Sequence, residues 1–197
     1  MSNKKWYKQN YDWKKLQIFF NDYLFIHIHK TGGSSVKNFL SPGHGNLISH
    51  MTVESIINEI GIEKFNEFKS FCVVRNPYDL IVSQYSYRVQ SSRIKKMNFN
   101  DYILNKHFTH IPPQVQYLKY NDEIYCNDIL RYENLVDDVA EFIKKNNINL
   151  NISDFPHSRK SKRKNYREYF TNKEVLDIVN EYYKEDFETF NYKKIEL

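Results

Sequence analysis

The stretch Tyr23-Leu-Phe-Ile-His-Ile-His-Lys-Thr-Gly-Gly-Ser-Ser-Val36 joins an apolar run, a glycine turn and the start of a helical pattern. Residues 23–28 are rich in aromatic and β-branched side chains, which predicts a buried strand. The chain then turns at Gly32 and Gly33, and apolar spacing from Val36 onward predicts a helix. A strand, a glycine turn and a helix start turn backbone N–H groups toward an anion, and the helix dipole favours phosphate there.

The turn concentrates groups that suit a phosphate. Its glycines let the backbone approach a ligand closely, its hydroxyl side chains donate hydrogen bonds, and its lysine adds a point charge. We call this segment the anion loop; it comprises Lys30, Thr31, Gly32, Gly33, Ser34 and Ser35. The lysine precedes the glycines, whereas it follows them in Walker A, which argues against a standard P-loop ATPase. An ordinary turn is the alternative, because glycine and serine are common in turns.

The composition predicts a folded, helix-rich α/β protein. The chain has 197 residues, a 41% hydrophobic fraction, 5 glycines and 5 prolines, which suits one domain with a proper core. A net charge of +5 favours anionic ligands but indicates no specific nucleic acid. Cys72 and Cys126 lie in apolar stretches without metal-ligand spacing, so we expect reduced thiols and a cytoplasmic location. No signal peptide or membrane span is predicted.

Strand and helix patterns alternate along the chain. The pattern predicts strands at 23–28, 70–74 and 128–132, and helices at 11–20, 36–40, 53–60, 78–89, 99–104, 135–145 and 172–183. We therefore expect a P-loop-like central parallel sheet flanked by helices in one domain, 1–197, with 1–20 as an N-terminal helical extension.

A second strand end carries an arginine. Arg75 follows the strand at 70–74 as Lys30 follows the first strand, and parallel strands present their carboxyl ends to one ligand edge. If the strands are neighbours, the two loops face one ligand, and Ser83 in the next helix completes a second anion site. A surface arginine and a solvated helix serine are the simpler alternatives.

Two segments together resemble a known family. His27-Ile-His-Lys-Thr-Gly-Gly-Ser-Ser35 is similar to the 5′-phosphosulfate loop of the Golgi-type carbohydrate sulfotransferases and their bacterial relatives. Val74-Arg-Asn-Pro-Tyr-Asp-Leu-Ile-Val-Ser-Gln-Tyr85 is similar to their 3′-phosphate element. Further similar segments follow in order: Pro113-Gln114, Tyr117-Leu118, Arg131-Tyr-Glu-Asn-Leu135 and Tyr166-Arg-Glu-Tyr169.

The resemblance implies a sulfotransferase that uses 3′-phosphoadenosine 5′-phosphosulfate (PAPS) and sulfates a hydroxyl of a carbohydrate or glycosylated molecule. It implies that the anion loop holds the 5′-phosphosulfate and that Arg75 and Ser83 hold the 3′-phosphate. No metal is implied, because the sequence has no acidic ligand cluster. His29 replaces a usual proline and Leu80 a common arginine, which we expect to alter loop rigidity and helix pairing.

Transfer to a hydroxyl needs a general base, for which histidine has a suitable pKa. Of 7 histidines, His50 matches the family position of the base, and His44 is the next candidate; a structural role for both is the alternative. Lys30 is expected to meet charge on the departing oxygen. His107 and His110 are expected near the acceptor.

The run 158–167 holds six positive residues. A solvated strip is the simple interpretation; we favour a mixed role, with Arg159 or Lys160 near the 3′-phosphate. Two other functions stay open. A nucleotide-dependent phosphotransferase with an atypical P-loop would need Mg²⁺ ligands, for which Asp128 is the candidate. A noncatalytic polyanion-binding module would use the basic run and bind DNA or heparin with steep salt dependence.

Overall fold

The computed structural model describes residues 19–20 (backbone only), 23–40, 50–94, 97–156 and 163–196. Its strands are β1 (Phe19–Phe20), β2 (Tyr23–Ile26), β3 (Lys69–Val74), β4 (Lys119–Tyr120), β5 (Glu123–Ile124) and β6 (Asp128–Arg131). Its helices are α1 (Gly33–Leu40), α2 (Val53–Ile60), α3 (Ile62–Asn66), α4 (Pro77–Gln90), α5 (Phe99–Leu104), α6 (Leu135–Lys145), α7 (Lys173–Tyr182) and α8 (Lys184–Thr189).

A four-stranded sheet in the order β1–β2–β3–β6 forms the centre of the molecule. The strands β2, β3 and β6 are parallel, with Ile26 opposite Cys72 and Val74 opposite Arg131, whereas β1 is an antiparallel edge strand. Strands β4 and β5 form a separate hairpin. The predicted α/β fold with a parallel sheet flanked by helices is therefore confirmed.

Both faces of β2 and β3 are covered, which explains why these two strands read as continuous apolar runs, whereas Ile129 of the edge strand β6 is exposed. Tyr23 and Phe25 of β2 pack in one cluster with residues of α1 and α6. Leu24 and Ile26 point to the other face and pack with residues of α2. A third cluster joins α4, α5, α7 and α8. The sheet is thus held rigidly where the loops after β2 and β3 begin.

Several predicted boundaries follow from local chemistry. Helix α2 begins at the predicted cap, where Ser55 N donates to Thr52 Oγ1 at 3.1 Å, and ends at Gly61, whose φ is 84°. The predicted helix at 11–20 is wrong at its end: Phe19–Phe20 is a strand, because it gains ladder hydrogen bonds from β2. Residues 11–18 lie outside the described part. Within that part, no helix has the length and apolar character needed to cross a membrane.

Candidate active site

The loops that follow β2 and β3 meet at the carboxyl edge of the sheet. The guanidinium Nη1 of Arg75 donates to the carbonyl oxygen of Lys30 at 2.8 Å. Gln114 is fully buried and fixes the backbone of Arg75, accepting from its N–H and donating to its carbonyl, each at 2.8 Å. Buried Asp186 in turn accepts from the N–H groups of Gln114 and Val115, both at 2.9 Å. The two loops are therefore in contact, as expected. Hydrogen bonds from Gln114, itself held by Asp186, fix the backbone of the second loop.

The anion loop has the backbone geometry of a tight turn into a helix. Lys30 has φ 62° and Gly32 has φ 85°, both in the left-handed region, and α1 begins directly at Gly33. The first intrahelical bonds run from Ser35 N (2.9 Å) and Val36 N (3.4 Å) to the carbonyl of Gly32. The amides ahead of them belong to the helix N-terminus, which is positive and suits an anion.

The three hydroxyl residues of the anion loop are not equivalent. Thr31 is fully buried, and its Oγ1 donates to the carbonyl of Ile28 at 3.0 Å. Ser34 is exposed and Ser35 is half-buried. Thr31 therefore ties the turn to the end of the first strand, and the serine side chains are better placed to reach a ligand.

Glycine is required at position 33 because a side chain has no room there, and not because the backbone conformation excludes other residues. A Cβ atom there would lie 2.2 Å from Cδ2 and 2.4 Å from Nε2 of the His27 ring. The same Cβ would lie 3.0 Å from Cζ of Phe25, on which the buried His27 ring stacks at 5.4 Å. The ring has little room to retreat, so α1 packs against β2 at this distance only with glycine.

We expect Gly33→Ala to lower the free energy of unfolding by about 1–3 kcal/mol, the usual cost of overpacking. The measurement is urea denaturation of the single variants and of Gly33→Ala combined with His27→Ala, which removes the clashing ring. The clash predicts that the double variant loses less stability than the two single changes added together.

Gly61→Ala is the matched control for Gly33→Ala. Gly61 has φ 84° and ψ 155°, a conformation essentially restricted to glycine, and no atom would lie closer than 3.6 Å to a new Cβ; alanine there costs about 1–3 kcal/mol through backbone strain and not through a clash, so its effect should be additive with that of His27→Ala. Strict additivity of the Gly33 and His27 changes would contradict the contact argument.

The second positive centre is built around Arg75. Its side chain is nearly buried, lies 3.7 Å above the ring of Tyr132, and donates from Nε (2.8 Å) and Nη2 (2.6 Å) to Oδ2 of Asp79. Arg163 reaches the other oxygen of that carboxylate at 2.6 Å. Ser83 lies one helical turn beyond Asp79 on α4 and is mostly buried. Two guanidinium groups share one carboxylate, which leaves net positive charge for a ligand anion.

Arg163 and Tyr132 were missed as individual site residues by the sequence analysis. The basic run was noticed, but Arg159 and Lys160, chosen from it, lie outside the described residues. Arg163 is the member of the run that the structure places beside Arg75. Tyr132 also underlies the anion loop, because a Cβ on Gly32 would lie 3.0 Å from its ring.

Lys30 lies among positive neighbours. Its Nζ is 4.2 Å from the centre of the Tyr87 ring. Burial lowers the pKa of Lys30, and the charges of Arg75, Arg163 and Arg93 lower it further. This excess of positive charge attracts an anion before any ligand contact is made.

His50 is brought to the same edge of the sheet. Its Nδ1 donates to the carbonyl of His27 at 2.9 Å, so the neutral ring carries its lone pair on Nε2. Burial lowers the pKa of His50, although the bond to His27 opposes the shift. A neutral imidazole whose Nε2 has no hydrogen-bond partner among the described residues suits a general base. The alternative base, His44, lies outside the described residues.

His29, the residue in place of the family's usual proline, packs onto His50. The two rings stack with their centres 3.3 Å apart, and His29 Nδ1 is 2.7 Å from the hydroxyl of Tyr117. Burial, then the charge of His50, lowers the pKa of His29 to about 4. His29 is therefore neutral at pH 7 and adds a rigid wall beside His50. Leu80, the second departure from the family, is buried in the helical core.

The structure separates Asp128 from this site. Asp128 begins the parallel strand β6, at the edge of the sheet opposite to the two loops, and pairs with Lys145. Within the described ranges, no three His, Cys, Asp or Glu side chains are grouped to hold a metal ion. The magnesium ligand that a phosphotransferase would need is therefore not found at Asp128.

Sequence comparison with known proteins finds a relative and a matching family. An uncharacterized protein of Archaeoglobus fulgidus is 28% identical over 93 residues, which make up 46% of this chain and 77% of that protein. No solved structure gives a significant match. Residues 20–193, which include both loops and His50, match the family described as the Sulfotransferase family. The chain belongs to the sulfotransferase family.

Proposed function

We propose that this sulfotransferase takes its sulfuryl group from PAPS and sulfates a hydroxyl of a carbohydrate or glycosylated molecule, as in the carbohydrate branch that its loops resemble. The observation that carries the proposal is the 2.8 Å bond from Arg75 to the carbonyl of Lys30. It joins two positive centres in one site, which is what a nucleotide with two separate phosphate groups needs.

The residues present fit such a nucleotide. The anion loop offers the N-terminus of α1, a serine pair and Lys30. These groups would hold the 5′-phosphosulfate. Arg75 and Ser83, joined by Arg163, would hold the 3′-phosphate. Arg163 would take the role beside the 3′-phosphate that the sequence analysis gave to Arg159 or Lys160.

The chemistry of the chain's own residues follows from their positions. PAPS, when bound, supplies the sulfuryl group and a phosphate leaving group. His50 accepts the proton of the acceptor hydroxyl at Nε2, since its Nδ1–H is held by the carbonyl of His27. The ammonium of Lys30 faces the charge that develops on the leaving side, as fixed donors do in other transfer reactions.

The test is a calorimetric titration of the protein with adenosine 3′,5′-bisphosphate, AMP and ATP, without added metal. We expect the bisphosphate to bind about ten- to a hundredfold more tightly than AMP. The reason is that the Arg75 centre adds charge-assisted hydrogen bonds worth about 1.5–3 kcal/mol each to the 3′-phosphate.

Equal affinities for the three nucleotides would overturn the assignment of PAPS. Binding of DNA or heparin that falls steeply with salt, without preference for the bisphosphate, would favour the polyanion-binding module instead. A screen of sugar acceptors with labelled PAPS then tests the carbohydrate assignment separately.

A further inference from the structure

Tyr87, near the end of α4, is an exposed aromatic ring in contact with two cations. Its side chain is 42% exposed. The Nζ atom of Lys30 lies 4.2 Å from the centre of its ring, and the guanidinium carbon of Arg93 lies 5.0 Å from the same centre. The face of an aromatic ring carries negative charge density and attracts a cation placed over it. The ring therefore gives the Lys30 ammonium a favourable contact.

The other charged groups around Lys30 repel it. Among the residues that the structure describes, no carboxylate forms an ion pair with Lys30. Its titratable neighbours are Arg75, Arg163, Arg93 and the neutral His29. Burial lowers the pKa of Lys30, and the three guanidinium charges lower it further. The ring of Tyr87 acts in the opposite sense, because its face stabilises the ammonium and not the neutral amine.

The side chain of Lys30 is fixed at both ends. At the backbone, Arg75 donates to the carbonyl of Lys30 at 2.8 Å, and the residue has φ 62°. At the far end, the structure places Nζ over the ring of Tyr87. A lysine side chain is a flexible four-carbon stem, so its charge is well placed only if the tip has a contact of its own. Tyr87 supplies that contact from a helix, which is a more rigid support than a loop.

We propose that Tyr87 is a positioning residue for sulfuryl transfer, whose ring holds the Lys30 ammonium in place and in its charged form. The proposal rests on the proposed function, in which this ammonium meets the charge that develops on the leaving side. Tyr87 acts through Lys30 and is not itself a catalytic residue. Fixing a charge in advance lowers the cost of aligning it during the reaction.

The first measurement is NMR of the protein without nucleotide, isotopically labelled at the lysine Cε. The Lys30 signal is assigned by its absence from Lys30→Met. We expect the protons on this Cε to show an upfield ring-current shift, which Tyr87→Phe retains and Tyr87→Leu removes. The exposed position of Tyr87 allows both substitutions without loss of the core.

Titration of the same signal tests the charge. The reference is Tyr87→Phe, which keeps the ring but has no phenol proton of its own to lose. Relative to it, Tyr87→Leu should lower the pKa of Lys30 by about half a pH unit or more, because the charged form loses the ring. Arg93→Gln should raise the pKa of Lys30, because a repelling charge is removed.

The second measurement is single-turnover transfer from labelled PAPS at saturating nucleotide. Tyr87→Leu should lower the rate constant by about three- to tenfold, the range of a cation–π contact, without weakening the binding of adenosine 3′,5′-bisphosphate. Tyr87→Phe should keep the wild-type rate. Phe68→Leu is the matched control: it removes a ring that lies under Lys64 at 5.4 Å, next to the amino end of β3, and should change neither the Lys30 signal nor the rate.

Two results would overturn the role of Tyr87. One is a Lys30 signal and pKa that are the same in Tyr87→Leu and Tyr87→Phe; the other is an equal loss of rate in both variants, which would assign the effect to the hydroxyl and not to the ring. Failure of the proposed function is recognised separately. If the wild-type protein does not prefer the bisphosphate, that function falls and the role in transfer falls with it, whatever the NMR signal shows.

Discussion

His50→Ala is expected to lower kcat by about a thousandfold, within the range for loss of a positioned general base, while the affinity for adenosine 3′,5′-bisphosphate stays within about threefold. The histidine contacts the carbonyl of His27 and the ring of His29, and neither contact belongs to the two positive centres. The measurement is single-turnover transfer from labelled PAPS, with nucleotide binding by calorimetry on the same preparation.

The pH dependence of kcat/KM is a second readout of the same role. The base works when His50 is neutral, so activity rises with pH through the pKa of that group. Because burial lowers this pKa from 6.5, the acid limb of the wild-type profile should have its midpoint below pH 6.5. The residual activity of His50→Ala should lack this limb.

His29→Phe is the matched control, because it keeps an aromatic ring stacked over His50 and removes the neighbouring imidazole. We expect it to retain most of the turnover and the acid limb. If His50→Ala keeps full turnover, the base is elsewhere, with His44 the next candidate. If only His29→Phe loses turnover, His29 holds that role.

The parts of the fold that could be predicted are those encoded locally. The strand before Lys30, the glycine turn and the cap at Thr52 each depend on residues within a few positions of one another. The meeting of the two loops was predicted only on the condition that their strands are neighbours. The structure meets that condition, and parallel neighbouring strands end at one edge, where Lys30 and Arg75 follow them.

The rest of the site depends on contacts between distant segments. Gln114 bonds the backbone of Arg75, 39 residues earlier in the chain, and Asp186 bonds Gln114 across a further 72 residues. No local sequence pattern indicates such pairings. Arg163 was hidden among equally charged neighbours in the basic run. Thr31 shows the opposite error, because a local count of hydroxyls includes it although its side chain bonds back to the first strand.

Lys30→Ala is expected to lower kcat by about a hundredfold or more, as removal of a fixed donor to developing charge does in other enzymes, with less than about tenfold loss of nucleotide affinity. Arg75 and Arg163 keep the second positive centre intact in this variant. The backbone is not an added problem, because lysine already bears φ 62° at this position and alanine bears it at similar cost. Lys30→Met tests the charge alone, since it keeps much of the side chain's length.

Changes at Arg75 should show the opposite balance. Arg75→Lys keeps a charge but loses the fork that bonds Asp79 and the carbonyl of Lys30, so nucleotide affinity should fall about tenfold or more while kcat at saturation falls less. This contrast separates binding from transfer at two residues that touch each other.

If Lys30→Ala and Lys30→Met both keep wild-type kcat, the departing oxygen's charge is met by the amides of α1 and not by the lysine. In that case the positive charge of Lys30 attracts the nucleotide, and its removal should lower the association rate constant of the nucleotide.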